Sequence, residues 1–145
     1  MYWWLNTRFE LNHNLGTDKT RIQQMPNKSM IVVDDSKVSR MMLTTIIQQM
    51  DSEMEISEAE DAKSALAVLQ DKQIDYFSVD LNMPGMNGLE LIEKLMPDYP
   101  TAKFALFTAN IQDSTQDKCQ SLGIKCVNKP ITEDSVKSML VYFND

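Results

Sequence analysis

At 145 residues, 43% of them hydrophobic and 24% charged, the chain can bury one core but is too short to hold a sensor, a catalytic partner and an output module together. Residues 1–28 carry four Lys/Arg against two Asp/Glu, leaving ten against nineteen over 29–145, so the body is acidic and lacks the basic surface that direct nucleic-acid binding needs. The single His13 removes histidine metal sites and Ser-His or Cys-His nucleophile systems, and the apolar runs fall far short of a membrane span.

Two cysteines, Cys119 and Cys126, and no secretory leader point to a reducing, cytoplasmic setting, with a disulfide between them as the less favoured alternative. Residues 1–28 lack sustained periodicity and are rich in Asn, Gln, Thr and Arg, which reads as a loosely ordered extension ahead of a folded unit over 29–145. Its start, Tyr2, Trp3 and Trp4, is either a docking element or incidental sequence upstream of a start at Met25 or Met30.

From Met30 a strand signal alternates with a helix signal five times, with strands predicted at 30–33, 54–57, 76–79, 104–107 and 124–127. Val38, Met41, Met42 and Thr45 open the first helix. The second repeats Ala62, Ala65, Leu66 and Leu69 behind an Asp61 cap, and the third carries Leu89, Ile92, Leu95 and Met96 before Pro97. The fourth, about 111–122, has only Ile111, Cys119 and Leu122 as apolar inward residues, so it is expected to be thinly anchored, with Gly123 supplying the left-handed end. The fifth repeats Val136, Met139, Leu140 and Phe143 behind Thr132. The expected fold is α/β, a doubly wound five-stranded parallel sheet with two helices on one face and three on the other.

The unusual polar residues follow strands: Asp34 and Asp35 the first, Asp80 the third, Thr108 the fourth and Lys129 the fifth. Carboxyl ends of parallel strands share one edge, and with the order taken as 2-1-3-4-5 the three aspartates meet at the switch point where ligands bind. Crowded carboxylates push a proton onto one of their number unless a cation compensates. Three aspartates and Lys129 sum to −2, which one Mg²⁺ neutralises, and Mg²⁺ takes carboxylates, waters and phosphate oxygens. A phosphoryl group accepted by Asp80 would then find Lys129 and the Thr108 hydroxyl as partners. Taken singly, Asp34, Asp35 and Thr108 read as helix caps and Lys129-Pro130 as a surface turn; their conjunction favours the site.

The motifs IVVDD over 31–35, VDLNMPGMNG over 79–88, FTA over 107–109 and NKP over 128–130 resemble the receiver domain of two-component response regulators, over about 30–143. The resemblance implies a flavodoxin-like fold in which Asp80 is the phosphoacceptor, Asp34, Asp35 and the Asn82 backbone carbonyl hold Mg²⁺ with Asp80, and Thr108 and Lys129 contact the phosphoryl group. It also implies a cis Lys129-Pro130 bond, a switch of the face made by the fourth helix, fifth strand and fifth helix, and a phosphoacceptor that catalyses only its own phosphorylation and dephosphorylation. The implied partners are a sensor histidine kinase or histidine phosphotransfer protein and a downstream protein target, with the regulator a monomer or a phosphorylation-dependent dimer that neither enters membranes nor binds nucleic acid directly. The chain departs from the family at Cys126, where an aromatic switch residue is usual, so Cys126 is either a redox sensor or a small buried strand residue. Asn82 and Asn110 stand where family members tune phosphoryl lifetime.

With no output module after Asp145, the expected function is that of a single-domain, chemotaxis-type regulator. Two alternatives are a phosphorylation-independent docking module and an Asp-nucleophile, Mg²⁺-dependent phosphatase of the haloacid dehalogenase type. The latter wants an aspartate two places after its nucleophile, where Asp34 has Ser36 and Asp35 has Lys37. A flavodoxin-like FMN protein fits poorly, since a phosphate loop opening on Asp34 and Asp35 would repel its ligand.

Overall fold

The computed structural model describes residues 27–145, so the extension expected over 1–28 lies outside the described residues except for Asn27 and Lys28. Five strands, β1 (Ser29–Val33), β2 (Glu55–Ala59), β3 (Tyr76–Asp80), β4 (Lys103–Thr108) and β5 (Lys125–Asn128), form one parallel sheet in the order β2-β1-β3-β4-β5. Helices α1 (Lys37–Met50), α2 (Ala62–Leu69), α3 (Gly88–Leu95), α4 (Asp113–Leu122) and α5 (Glu133–Phe143) connect them, with a short 3₁₀ turn at Met96–Asp98. This is the flavodoxin-like order assumed from sequence.

The central strands β1, β3 and β4 are buried on both faces, which is why they read as apolar runs and not as alternations. Met30, Val32, Ala105, Phe107 and Val127 point to one side, where Leu43 and Ile47 of α1 and Val136, Met139, Leu140 and Phe143 of α5 cover them. Ile31, Val33, Phe77, Val79, Phe104 and Leu106 point to the other, under α2, α3 and α4. Two helices therefore cover one face and three the other.

Local capping fixes where the helices start. Asp61, Asn87 and Thr132 each accept a hydrogen bond from the backbone N–H three residues on and close a reciprocal box with Ser64, Glu90 and Ser135. Gly123 ends α4 at φ 72°, the left-handed conformation expected of it.

Three boundaries differ from the sequence reading. Strand β2 lies one to two residues later than 54–57, because Met54 is buried before the pairing begins and Ala59 carries the register to Val33. β5 runs Lys125–Asn128, with Ile124 buried in the turn that precedes it. Helix α4 starts at Asp113, leaving Ile111 in the preceding loop, and Cys119 is its one buried residue. In α1 the apolar stripe Val38, Met41, Met42 and Thr45 faces solvent, with Val38 60% and Met41 58% exposed; the inward face is Leu43 and Ile47. The residues that open the first helix are therefore surface.

Candidate functional site

Asp34 is held by the fold before any ligand is considered. Its backbone N–H donates to the Ala59 carbonyl at 3.1 Å, extending the β1–β2 ladder by one residue. Its Oδ1 accepts from the Ser36 N–H at 2.9 Å, and its carbonyl accepts from Arg40 Nη1 at 2.6 Å. The cap of α1 is Ser36, whose hydroxyl accepts from Ser39 N–H, so neither Asp34 nor Asp35 is spent on capping the helix.

Asp80 ends β3, buried to 4% exposure, and the chain past it is fixed by the Leu81 N–H donating to the Phe107 carbonyl at 2.8 Å. Gly88, the first residue of α3, presses on that corner. A Cβ there would collide with the Asp80 carbonyl oxygen and lie 3.0 Å from Leu106 Cδ1, and the Gly88 N–H donates to the Leu81 carbonyl at 2.9 Å. Only glycine permits so close an approach.

Lys129 follows β5, its backbone N–H donating to the Thr108 carbonyl at 2.8 Å. The Lys129-Pro130 peptide bond is cis. The Lys129 ammonium bridges two carboxylates, 3.1 Å from Asp80 Oδ1 and 3.3 Å from Asp34 Oδ2. Carboxylate oxygens of Asp34, Asp35 and Asp80 lie within 4.8 Å of one another, with Asp35 exposed at the rim. The conjunction read from sequence is thus a physical cluster, and Lys129 is an ion-pair partner and not a surface turn.

The electrostatics follow from this crowding. Burial, then the charge of Asp34, push the Asp80 carboxyl up to about 6, with Lys129 opposing and Asp35 adding to the rise. For Lys129, burial is the largest influence and works against the charge, yet Asp34 and Asp80 together raise its pKa above the ordinary lysine value. A buried carboxylate this hard to ionise beside two others is a donor set short of positive charge. Hard oxygen ligands in such a group fit a divalent cation of the Mg²⁺ or Ca²⁺ kind.

Thr108 ends β4 almost fully buried, and its hydroxyl accepts from the Asn110 N–H at 3.3 Å; the boundary residue of α4 is Gln112, four residues later, so Thr108 caps no helix. Asn82 is exposed just beyond Asp80. Cys126 stands apart from the acidic cluster: it pairs with Leu106 in the β4–β5 register, is half-buried, and packs against the core under α2, α3 and α4. Arg40 and Gly88 have structural roles at the site that the sequence reading did not assign. Gly88 was visible as the last letter of the 79–88 motif, but its role depends on α3 crossing the end of β3. A cavity of about 350 Å³ lined by Leu69, Tyr99 and Pro100 shares no residue with the acidic cluster.

A parallel 2-1-3-4-5 sheet whose carboxyl edge gathers three aspartates and a lysine defines a flavodoxin-like domain with an acidic pocket at its switch point. The family model of the response regulator receiver domain matches residues 30–141, and the chain belongs to that family. Among curated relatives, it is 29% identical over 136 residues to the sensor protein EvgS of Escherichia coli (strain K12), covering 90% of this chain and 11% of that protein. It is 30% identical over 128 residues to the sensor histidine kinase RcsC of Salmonella typhi, covering 88% of this chain and 13% of that one. The chain thus spans little more than a tenth of the length of these relatives. Among solved structures, the chemotaxis protein CheY4 of Vibrio cholerae superposes with a TM-score of 0.72 at 24% identity, covering 81% of this chain and 98% of that one. The response regulator TrrA of Thermotoga maritima, solved in complex with Mg²⁺ and BeF, gives 0.68 at 27% identity over 80% of this chain and 98% of that one.

Proposed function

We propose that this receiver domain takes a phosphoryl group onto Asp80 from a phosphohistidine on a sensor kinase or phosphotransfer protein, and passes the signal to a protein target by a change of surface. The observation that carries the proposal is the Lys129 ammonium set between Asp80 and Asp34, with Asp35 completing the cluster. A purely structural ion pair needs one carboxylate. Here the single cation is shared, and the Asp80 carboxyl rises to about 6 in consequence of burial and of Asp34.

In the transfer, an Asp80 carboxylate oxygen attacks phosphorus, the bond from phosphorus to the donor imidazole nitrogen breaks, and an acyl phosphate forms while the imidazole takes up a proton. Asp34, Asp35, Asp80 and the Asn82 backbone carbonyl are the residues to hold Mg²⁺. When bound, the ion neutralises charge on the phosphoryl oxygens. Lys129 gives up part of its contact with Asp80 to a phosphoryl oxygen, and the Thr108 hydroxyl, bound only weakly to Asn110, donates to another. Asp34 keeps Lys129 in place through the exchange.

The donor must approach over the rim of the pocket. On one side that rim is the start of α1, where Val38, Met41 and Met42 expose apolar surface next to Asp35, a surface suited to a protein donor and idle toward a small one. Downstream, the thinly anchored α4, β5 and α5 form the face expected to change, with Thr108 as the link from the pocket. Cys126 replaces the usual aromatic on that path, so coupling there passes through packing between α4 and β5 without a ring that swings inward. The domain acts as a regulator whose chemistry is confined to its own Asp80, in the cytoplasm, as a monomer or a phosphorylation-dependent dimer. No helix among the described residues is long and apolar enough to cross a membrane.

The test is intact-mass measurement after incubation with acetyl phosphate and Mg²⁺. One added phosphoryl group on the wild type and none on Asp80→Asn is the expected result. Equal labelling of both proteins, or of neither under conditions that label another receiver, refutes the assignment.

A further inference from the structure

Cys119 and Cys126 are the only two cysteines of the chain, both are free thiols, and the fold packs them against one apolar cluster from different elements. Cys119 is on the last turn of α4, 1% exposed, and is the one fully buried residue of that helix, with Leu122 packed partly buried against the same core. Cys126 is on β5, at the edge of the sheet, with its side chain on the same face. The turn between them is closed tightly. Gly123 reverses the chain at φ 72°, and the Ile124 N–H donates to the Cys119 carbonyl at 3.0 Å, which fixes the start of β5 against the end of α4. Cys119 sits within one apolar cluster and Cys126 packs against that same cluster.

They are chemically unequal. Burial first, then Cys126, push the Cys119 thiol up to about 12, so it stays protonated and unreactive toward oxidants on its own. Cys126 is half-buried on the edge strand, which makes its thiol the more reachable of the two. One reachable thiol backed by one sheltered thiol is the arrangement of a peroxidatic and a resolving cysteine.

The structure assigns to Cys119 and Cys126 a redox modification site, at which a peroxide oxidises Cys126 and Cys119 resolves it to a disulfide that ties α4 to β5. In the first step the Cys126 thiolate attacks the peroxide O–O bond, giving Cys126 sulfenic acid and releasing hydroxide or alkoxide. In the second the Cys119 sulfur displaces the hydroxyl from the Cys126 sulfur, and the thiol proton leaves with it as water. Two thiols and one hydrogen peroxide thus give one disulfide and two waters, the oxidant being a peroxide supplied from solution. The physical effect is on α4. A helix with one buried side chain would be anchored through that same side chain by a covalent bond to the sheet. This does not depend on phosphorylation of Asp80, and it survives if that reading fails.

The experiment uses the full chain, dilute and reduced, treated with hydrogen peroxide, then denatured and alkylated. The expected product is a monomer two hydrogens lighter that takes up no alkylating reagent until reduced, and yields a crosslinked peptide containing Cys119 and Cys126. In Cys119→Ser the sulfenic acid on Cys126 persists and is trapped by dimedone; Cys126→Ser, at the more exposed position, leaves Cys119 reduced. Amide hydrogen exchange over 113–122 slows by roughly tenfold in the oxidised wild type. Sulfinic or sulfonic acid on Cys126 with Cys119 still alkylated, a disulfide between two chains, or unchanged exchange in α4 after crosslinking each overturns the proposal.

Discussion

Replacing Asp80 by Asn should stabilise the metal-free protein, although the residue is buried, bonded to Lys129 and central to the site. The Asp80 carboxyl has a pKa of about 6 in the fold against an ordinary value of 3.8, so the folded state holds this proton when the unfolded chain has already released it. Stability from this group is therefore greatest below pH 4 and falls as pH rises towards 6, above which it is level. A shift of about 2 units at 1.36 kcal/mol each makes ionised Asp80 cost about 3 kcal/mol at pH 8, and the opposing attraction of Lys129 is already inside that figure. Asn keeps the shape and an acceptor oxygen for Lys129 but carries no charge.

The assay is urea unfolding with a chelator present, at pH 8 and again near pH 3.5. At pH 8 the variant should be more stable by about 3 kcal/mol, a midpoint shift of roughly 2 M urea for a slope near 1.5 kcal/mol/M. Near pH 3.5 the two proteins should unfold together. Mg²⁺ at a hundred times its dissociation constant adds about 2.7 kcal/mol to the wild type and should nearly close the gap at pH 8. A variant less stable than wild type at pH 8, or one with the same advantage at both pH values, would show that crowding among Asp34, Asp35 and Asp80 is not what governs the site.

Three further outcomes are expected. Gly88→Ala places a Cβ against the Asp80 carbonyl and should cost about 1–3 kcal/mol, as overpacking does, while slowing labelling by acetyl phosphate because the β3 corner must move; a neutral change in both urea and labelling assays would mean α3 slides freely. Lys129→Met leaves Asp34 and Asp80 facing each other without a cation, and should lose about 1–3 kcal/mol at pH 7, allowing for the partial exposure of Lys129, but much less at pH 4 where Asp80 is protonated; an equal loss at both pH values argues against it. Met41→Glu with Met42→Glu should change stability by no more than about 0.5 kcal/mol per site, since both side chains are exposed, and should leave acetyl phosphate labelling intact. Transfer from a phosphorylated histidine domain should fall on the order of tenfold, and undiminished transfer would remove α1 from the donor surface.

Most of the fold and the whole acidic cluster could be read in the chain, because the signals were local and redundant. A strand buried on both faces reads as an apolar run, and β1, β3 and β4 are such runs, interrupted only by the buried Ser78 of β3, with Asp34 just after the first and Asp80 and Thr108 closing the other two. Parallel connection then forces those ends to one edge, whatever the helices do. The failures share a cause too. Apolar periodicity in α1 marked a helix but left its inward face unassigned, since Val38, Met41 and Met42 repeat at the same spacing as the inward residues Leu43 and Ile47. Periodicity reports that a helix has an apolar side and says nothing about which body covers it. The same holds for close approaches. Gly88 against Asp80, Arg40 on the Asp34 carbonyl and Cys119 against Cys126 all arise where two elements cross, and no spacing along the chain encodes a crossing. An exposed apolar stripe beside a reactive pocket is therefore what sequence patterning leaves unplaced and only the packed structure reveals as surface, and the donor-transfer test of Met41 and Met42 is where that distinction acquires a functional consequence.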